Sequence, residues 1–284
     1  MNILFVPVTY NSYDALDNYI ASIGKALDAA ADPTISVTIH VADNSTIEEK
    51  EKRKVEGNIS LLTSHYDNPG YLPAALKTVY SEDVAKYDYI IISNVDVVLD
   101  ETFFTTLRDL KADADTVWIA PFIWSPSEQR DVNPKIQERY TKKRLRLLRL
   151  FFRFPLVWYT YSKSVYRLRK GSSAAASAPE SNLSPLTPHP SPLKTIYAGH
   201  GSFMIFRPEI FMQEPKLDYP VFLFCEEIFM AEMALRIGKK VTHCPSVKVW
   251  DKEHASTGLM NLWRYCKYNH DALSYIIRTF YEQD

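Results

Sequence analysis

"YIIISNVDVVLD", Tyr89–Asp100, is the stretch on which the reading of the fold turns. Tyr89, Ile90, Ile91 and Ile92 form a run that belongs in a core, bounded by Ser93. Asn94 and Asp96 follow, then Val97, Val98 and Leu99, and a further acid at Asp100. A β-branched run of this length reads as a buried strand. Polar side chains at its tip are placed where an α/β sheet holds ligands, beyond the carboxyl ends of its strands.

Working outward, the same alternation recurs. Residues 3–8, 35–43, 59–63 and 116–121 are strand-like. Residues 14–30 carry Leu16, Tyr19, Ile20, Ile23 and Leu27 at helical spacing, and helices are expected near 47–55, 72–81 and 101–111. This β-α-β-α order predicts an α/β fold, a Rossmann-like, mostly parallel sheet flanked by helices. Three polar clusters, Thr9–Asn11, Asp43–Asn44 and Asn94–Asp96, end three strands and are expected to converge. Further on, 202–206 reads as a strand and 226–237 as a helix opened by Glu226 and Glu227, two acids that the helix dipole favours there. Gly238 is placed to stop that helix. A strand over 241–250 and a last helix over about 258–281 complete the order.

The 284 residues suit one large domain or a domain with a sizeable insertion, and 46% apolar residues supply a substantial core. Disorder of the whole chain is excluded. Cys225, Cys244 and Cys266 form no CxxC pair and no zinc spacing, which points to a reducing compartment. Residues 1–10 lack the features of a signal peptide, and no apolar run reaches the length of a membrane span. The expected location is cytoplasmic.

A net charge of −1 conceals an asymmetry, because residues 135–170 hold 12 Lys/Arg and one Glu. Residues 138–154 read as a basic amphipathic helix with Lys142, Arg146, Arg149 and Arg153 on one stripe. Such a segment either lies on an anionic membrane surface or packs on the body with a solvated basic face. Residues 171–194 are rich in Ser, Ala and Pro and read as a mobile loop, with His189 incidental within it.

The order of several short motifs carries a resemblance. "VTYNS" (8–12), "VADNST" (41–46), "NPGY" (68–71), "SNVDVVL" (93–99), "GSFMIFRPEIF" (201–211), "FLFCEEI" (222–228) and "VKVWDKEH" (247–254) follow one another at plausible distances. Over 1–124 and 195–255 the chain resembles the inverting, nucleotide-sugar-dependent family 2 glycosyltransferases of the GT-A fold. Its nearest look is to the bacterial rhamnosyltransferase-type enzymes of surface polysaccharide synthesis. The basic insertion 125–194 lies outside the likeness. On that basis the chain is one catalytic domain, 1–124 holding the nucleotide sugar and 195–284 the acceptor side.

The resemblance implies roles. Thr9, Tyr10, Asn11 and Asp43 contact base and ribose, and an Asp accepting from an imide N–H selects UDP or dTDP. Asn68 and Gly70 match a loop that approaches the nucleotide, and also read as a simple turn. Leu76 stands where the family has asparagine. Asn94 replaces the first acid of the DxD motif, and Asp96, its last acid, binds Mn2+ or Mg2+. Glu227 aligns with the general base, usually an aspartate, and Glu226 either shares that role or orients the acceptor. His254, or Asp251 in its stead, completes the metal site. His200 lies on the acceptor side, and His243 is a packing residue. The implied acceptor is a glycan or lipid-linked glycan, at the inner face of the membrane if 135–170 docks there. Asn94, Leu76 and Glu227 depart from the family, so a non-catalytic nucleotide-sugar or glycan-binding relative is the alternative. A nucleotidyltransferase would need a glycine-rich phosphate loop, which "VPVTYNSYD" lacks. Nucleic-acid binding is not expected, since base-stacking motifs are missing.

Overall fold

A computed structural model describes residues 1–47, 55, 57–161, 193–252 and 260–282. The helix expected at 47–55, nearly all of the Ser/Pro loop, and His254 fall outside the described residues. The chain divides into two compact units: Met1–Arg139 with Ser191–His254, and Tyr140–Pro190 with Ala255–Asp284.

The first unit holds the sheet. Its strands are β1 (Asn2–Thr9), β2 (Ser36–Asp43), β3 (Ile59–His65), β4 (Tyr89–Asn94), β5 (Val97–Leu99), β6 (Thr116–Ser125), β7 (Arg130–Asp131), β8 (Lys194–Ile196), β9 (Phe203–Phe206) and β10 (Lys240–Asp251). The order is β3-β2-β1-β4-β9-β6-β10-β5, with β7 on β6 and β8 on β10. β3, β2, β1 and β4 run parallel, β6 and β10 run parallel, and β9 is the antiparallel strand between the two groups. The expected mostly parallel sheet flanked by helices is therefore what forms. β1 is buried along nearly its whole length because strands flank it on both edges and helices cover the sheet.

The helices of this unit are α1 (Tyr13–Ala30), α2 (Tyr71–Val79), α3 (Phe103–Asp109) and α5 (Glu226–Arg236). On α1, Leu16, Tyr19, Ile20 and Ile23 are buried, the stripe that the spacing predicts. Phe5, Tyr19, Phe103, Phe104 and Phe203 meet edge to face across the central strands. Gly238, at φ 66, ends α5: its N–H donates to Leu235 O, and Lys239 N–H donates to Ala234 O.

Tyr89–Asp100 is two strands rather than one. β4 ends at Asn94, and β5 pairs antiparallel with the far end of β10, Val97 opposite Asp251. The register of β10 shifts between Cys244 and Lys248, around Pro245, which has no N–H to give to a ladder. Asp100 is a turn residue: its Oδ1 accepts from Thr102 N and Oγ1 at 3.0 and 2.6 Å.

The second unit holds α4 (Lys142–Arg153) and α6 (Leu262–Ile276), the latter running on into a π-helical turn at Ile277–Tyr281. Thr141 caps α4 by accepting from Arg144 N. Leu145 and Phe152 are its buried residues, and the Phe152 ring lies 5.9 Å from Tyr265 of α6. The basic segment thus groups with the last helix, which the sequence reading assigned to the acceptor-side half.

Candidate functional site

Parallel register sets Val8 opposite Asn94 and Thr9 opposite Asp43, so the three polar clusters stand side by side. Their loops are tied together. Asn44 N–H donates to Thr9 O, Asn11 N–H donates to Ser45 Oγ at 2.9 Å, and Asn11 Oδ1 accepts from Thr46 N at 3.1 Å. Asn11 adopts φ 50, a conformation that Asn tolerates better than most residues. Its side chain is engaged in this tie, while the neighbouring Tyr10 ring is 46% exposed.

Asp43 is buried and well held. Oδ1 accepts from Ser45 N at 2.9 Å, an Asx turn, and Oδ2 accepts from Tyr13 OH at 2.9 Å and faces His65 Nδ1 at 3.2 Å. Burial on its own would raise its pKa, but the Ser45, Tyr13 and His65 hydrogen bonds outweigh it and hold the carboxyl below its ordinary value. Thr9 Oγ1 and Asn44 Oδ1 are buried without a hydrogen-bond partner among the described residues. Thr9 is fully buried, so it shapes the strand end from within.

Gly70 connects this end to the acidic end. It sits at φ 117, and a Cβ there would lie 2.2 Å from Phe222 O. Asn44 Nδ2 donates to Gly70 O at 3.0 Å, and Tyr71 N–H donates to Phe222 O at 3.2 Å. Asn68, at φ 34, precedes it in the same turn, and Leu76 is a buried packing residue of α2. Gly70→Ala is expected to cost about 3 kcal/mol or more, since both the backbone conformation and the Phe222 carbonyl must give way. Urea unfolding midpoints check this, with Gly57→Ala, also at positive φ but in open space, as the milder control.

The acidic end is built on a strained turn. Phe224 and Cys225, at φ 74 and φ 63, are consecutive left-handed residues with side chains, a costly conformation that neighbours must enforce. Phe224 O accepts from Tyr219 OH, and Phe224 N–H donates to Glu226 Oε1 at 2.8 Å. Glu226 thereby holds the turn that presents Glu227. Glu226 is buried, and that burial, reinforced by the negative charge of Glu227, pushes its pKa up to about 8. The Cys225 thiol is pushed well up by burial and then by the same two acids.

Glu227 is half-buried and reaches the 199–202 loop. Its Oε1 accepts from Gly201 N at 3.3 Å, and Tyr71 OH donates to Gly201 O at 2.8 Å. A Cβ on Gly201 would come within 3.1 Å of Glu227 Oε1, and one on Gly199 within 2.8 Å of Ala120 Cβ. The glycines around His200 thus serve close packing against Glu227 and β6. His200 N–H donates to Asn133 Oδ1 at 2.7 Å, and its Nδ1 accepts from Ser202 N at 3.2 Å. The Ser202 bond leaves the ring proton on Nε2. Burial, then Lys135, lowers the His200 pKa to about 4, so the ring is neutral at pH 7.

Asp96 closes the group. It is half-buried in the two-residue turn between β4 and β5, and its carbonyl accepts from Lys252 N at 2.8 Å. Asn94 N–H donates to Ser202 O at 2.8 Å, which fastens the β4 tip to the His200 loop. Burial first, then the charges of Glu226, Glu227, Tyr19 and Asp96, raise the Tyr71 phenol well above its ordinary value. For a hard divalent cation, Asp96 offers the right oxygen chemistry. No group of three or more His, Cys, Asp or Glu that could hold a metal occurs among the described residues. Asp251 lies across from Val97, one residue from Asp96 along the paired strand. His243 is accounted for elsewhere, 3.0 Å from Asp131.

Tyr71, Tyr13, His65 and Asn133 were not singled out as site residues. Tyr71 lies in the quoted "NPGY", and His65 ends a strand beside Asp43; those were the available signals. Asn133 offered none.

No family model matches the chain, and no curated protein matches it. Among solved structures the fold is similar to that of S. aureus TarS 1–349 in complex with UDP-GlcNAc: TM-score 0.52, 10% identity, 99% of this chain and 68% of that one. A mannosyltransferase from Pyrobaculum calidifontis, in complex with GDP-Man and Mn2+, aligns with TM-score 0.48 and 10% identity over 93% of this chain and 60% of that one. At such identity the likeness to TarS is one of fold.

Proposed function

We propose that the first unit is an inverting glycosyltransferase that moves a sugar from a nucleoside-diphosphate donor, UDP- or dTDP-linked, to a hydroxyl of a glycan or lipid-linked glycan. The observation that carries this is the 199–202 loop, which ties Tyr71 and Glu227 to the β4 tip at Asn94, beside strand ends held in register. A fold shared with a structure that holds UDP-GlcNAc supports the donor class.

Each residue has work to do in this reading. Tyr10 stacks on the base, and Asp43, already bonded by Ser45, Tyr13 and His65, accepts from a base N–H by exchanging one of those bonds. Asn68 and Gly70 hold the loop that faces the nucleotide, and Asn94 offers an amide to a ribose hydroxyl. Asp96 holds Mg2+ or Mn2+, with His254 or Asp251 as a further ligand. When bound, such an ion supplies positive charge to the departing diphosphate. Glu227 takes the proton from the acceptor hydroxyl as its oxygen bonds the anomeric carbon and the bond to the diphosphate breaks. Glu226, neutral at pH 7, leaves Glu227 as the charged member of the pair. His200, neutral and with Nε2–H free to donate, orients the acceptor.

The test is a thermal-shift screen of UDP-, dTDP- and GDP-sugars with and without Mn2+. A true donor at about a hundred times its Kd stabilises by ~2.7 kcal/mol, a shift of several degrees. No shift with any sugar nucleotide, with or without the ion, contradicts the reading.

A further inference from the structure

The second unit carries a surface to which the proposed function assigns no role. α4 has six cations in 12 residues and no acid. Its packing stripe is Leu145 and Phe152, the latter 4.2 Å from the Trp158 ring and 5.9 Å from Tyr265. A second apolar stripe is left outside. Leu147, Leu150 and Phe154 recur at i, i+3 and i+7 and are 51%, 52% and 50% exposed. Leu156 beyond them is 69% exposed.

Each member of the exposed stripe directly follows an arginine: Arg146, Arg149 and Arg153. These arginines line a cavity of about 450 Å3 with Leu150, His270 and Ser274. Three guanidiniums and an imidazole form a donor set for a phosphate group, while Ser274 Oγ donates to His270 O at 2.7 Å and His270 Nδ1 lies 3.5 Å from Asp271 Oδ1. Glu282 approaches Arg146 to 3.7 Å with both side chains open to water, a weak restraint. Among the described residues no carboxylate pairs with Arg149 or Arg153.

A helix that merely solvates its basic face has no use for three large apolar side chains beside it. A nucleic acid would match the charge but not an aliphatic stripe. A bilayer with anionic headgroups satisfies both, with arginines at the phosphates and Leu and Phe at the acyl boundary. We propose that this face of α4 docks on an anionic lipid bilayer, with the arginine cavity receiving a lipid phosphate. The surface stands apart from the donor reading, so either can fail without the other.

Co-sedimentation of the intact chain with vesicles tests it. Binding is expected to phosphatidylcholine vesicles containing about one third phosphatidylserine, and not to phosphatidylcholine alone; added salt weakens it. Arg146→Gln with Arg149→Gln and Arg153→Gln weakens binding about a hundredfold, at about fivefold per cation. The three Arg→Lys replacements keep most of the binding. Leu147→Ser with Leu150→Ser and Phe154→Ser also lowers affinity, with every cation in place. Circular dichroism of each variant confirms that the helices persist. No sedimentation, equal binding to neutral vesicles, tighter binding to duplex RNA, or full displacement by millimolar inorganic phosphate overturns the proposal.

Discussion

Glu227→Gln lowers sugar transfer by about two to four orders of magnitude while donor binding and fold persist, the loss expected when a general base is neutralised. The amide keeps the size of the carboxylate and can still accept from Gly201 N. Only the capacity to take a proton disappears. Glu226→Gln behaves differently, because Glu226 is buried and its pKa is pushed up to about 8, so a neutral amide resembles what is already there. Its carbonyl oxygen can still accept from Phe224 N, and the strained turn survives.

The pair also separates by pH. Folded Glu226 binds its proton more tightly than the unfolded chain does, so its contribution to stability is complete at acid pH and declines as pH rises from the ordinary carboxylate range toward about 8. Glu226→Gln should flatten that decline, visible as a smaller fall in melting temperature between pH 5 and pH 8. Glu226→Ala should instead destabilise throughout, because it leaves Phe224 N–H without its partner.

Asp96→Ala is the second large effect: turnover falls about a thousandfold or more, as several kcal/mol of charge stabilisation are lost with the ion. The fold should persist. Asp96 is half-buried in a turn, and the tie to Lys252 runs through its backbone carbonyl, which the substitution preserves. Added Mn2+ raises the rate of the unsubstituted chain and leaves that of the variant unchanged.

The sheet was legible because runs such as Ile3–Val8 and Tyr89–Ile92 are strongly apolar, and α1 because its stripe repeats at helical spacing. β5 was not: three residues, Val97–Leu99, are too few to show a period. Yet β5 is what brings Asp96 to β10, since its pairing sets Val97 against Asp251. Residues 202–206 read as a strand, but nothing local shows that β9 runs antiparallel between β4 and β6. In the site, Asp96, Glu226 and Glu227 stood out as acids at element ends. Tyr71 acts through a hydrogen bond to the backbone of Gly201, 130 residues away, and Asn133 through bonds to Pro121 O and His200 N–H, pairings that no local pattern encodes. The roles of Thr9 and Asn11 came from the resemblance; burial of one and the Thr46 tie of the other emerge only when β1 and β2 lie side by side. His254 lies outside the described residues, so the sequence expectation for it stands as proposed.

Titration calorimetry of the sugar nucleotide found in the thermal screen, into the intact chain and into Asp96→Ala, tests the central claim most directly. Binding to the unsubstituted chain should strengthen when Mn2+ replaces chelator, and binding to the variant should show no such gain. Equal strengthening in both proteins would mean that Asp96 does not hold the ion, and the proposed chemistry of the three carboxylates would have to be abandoned.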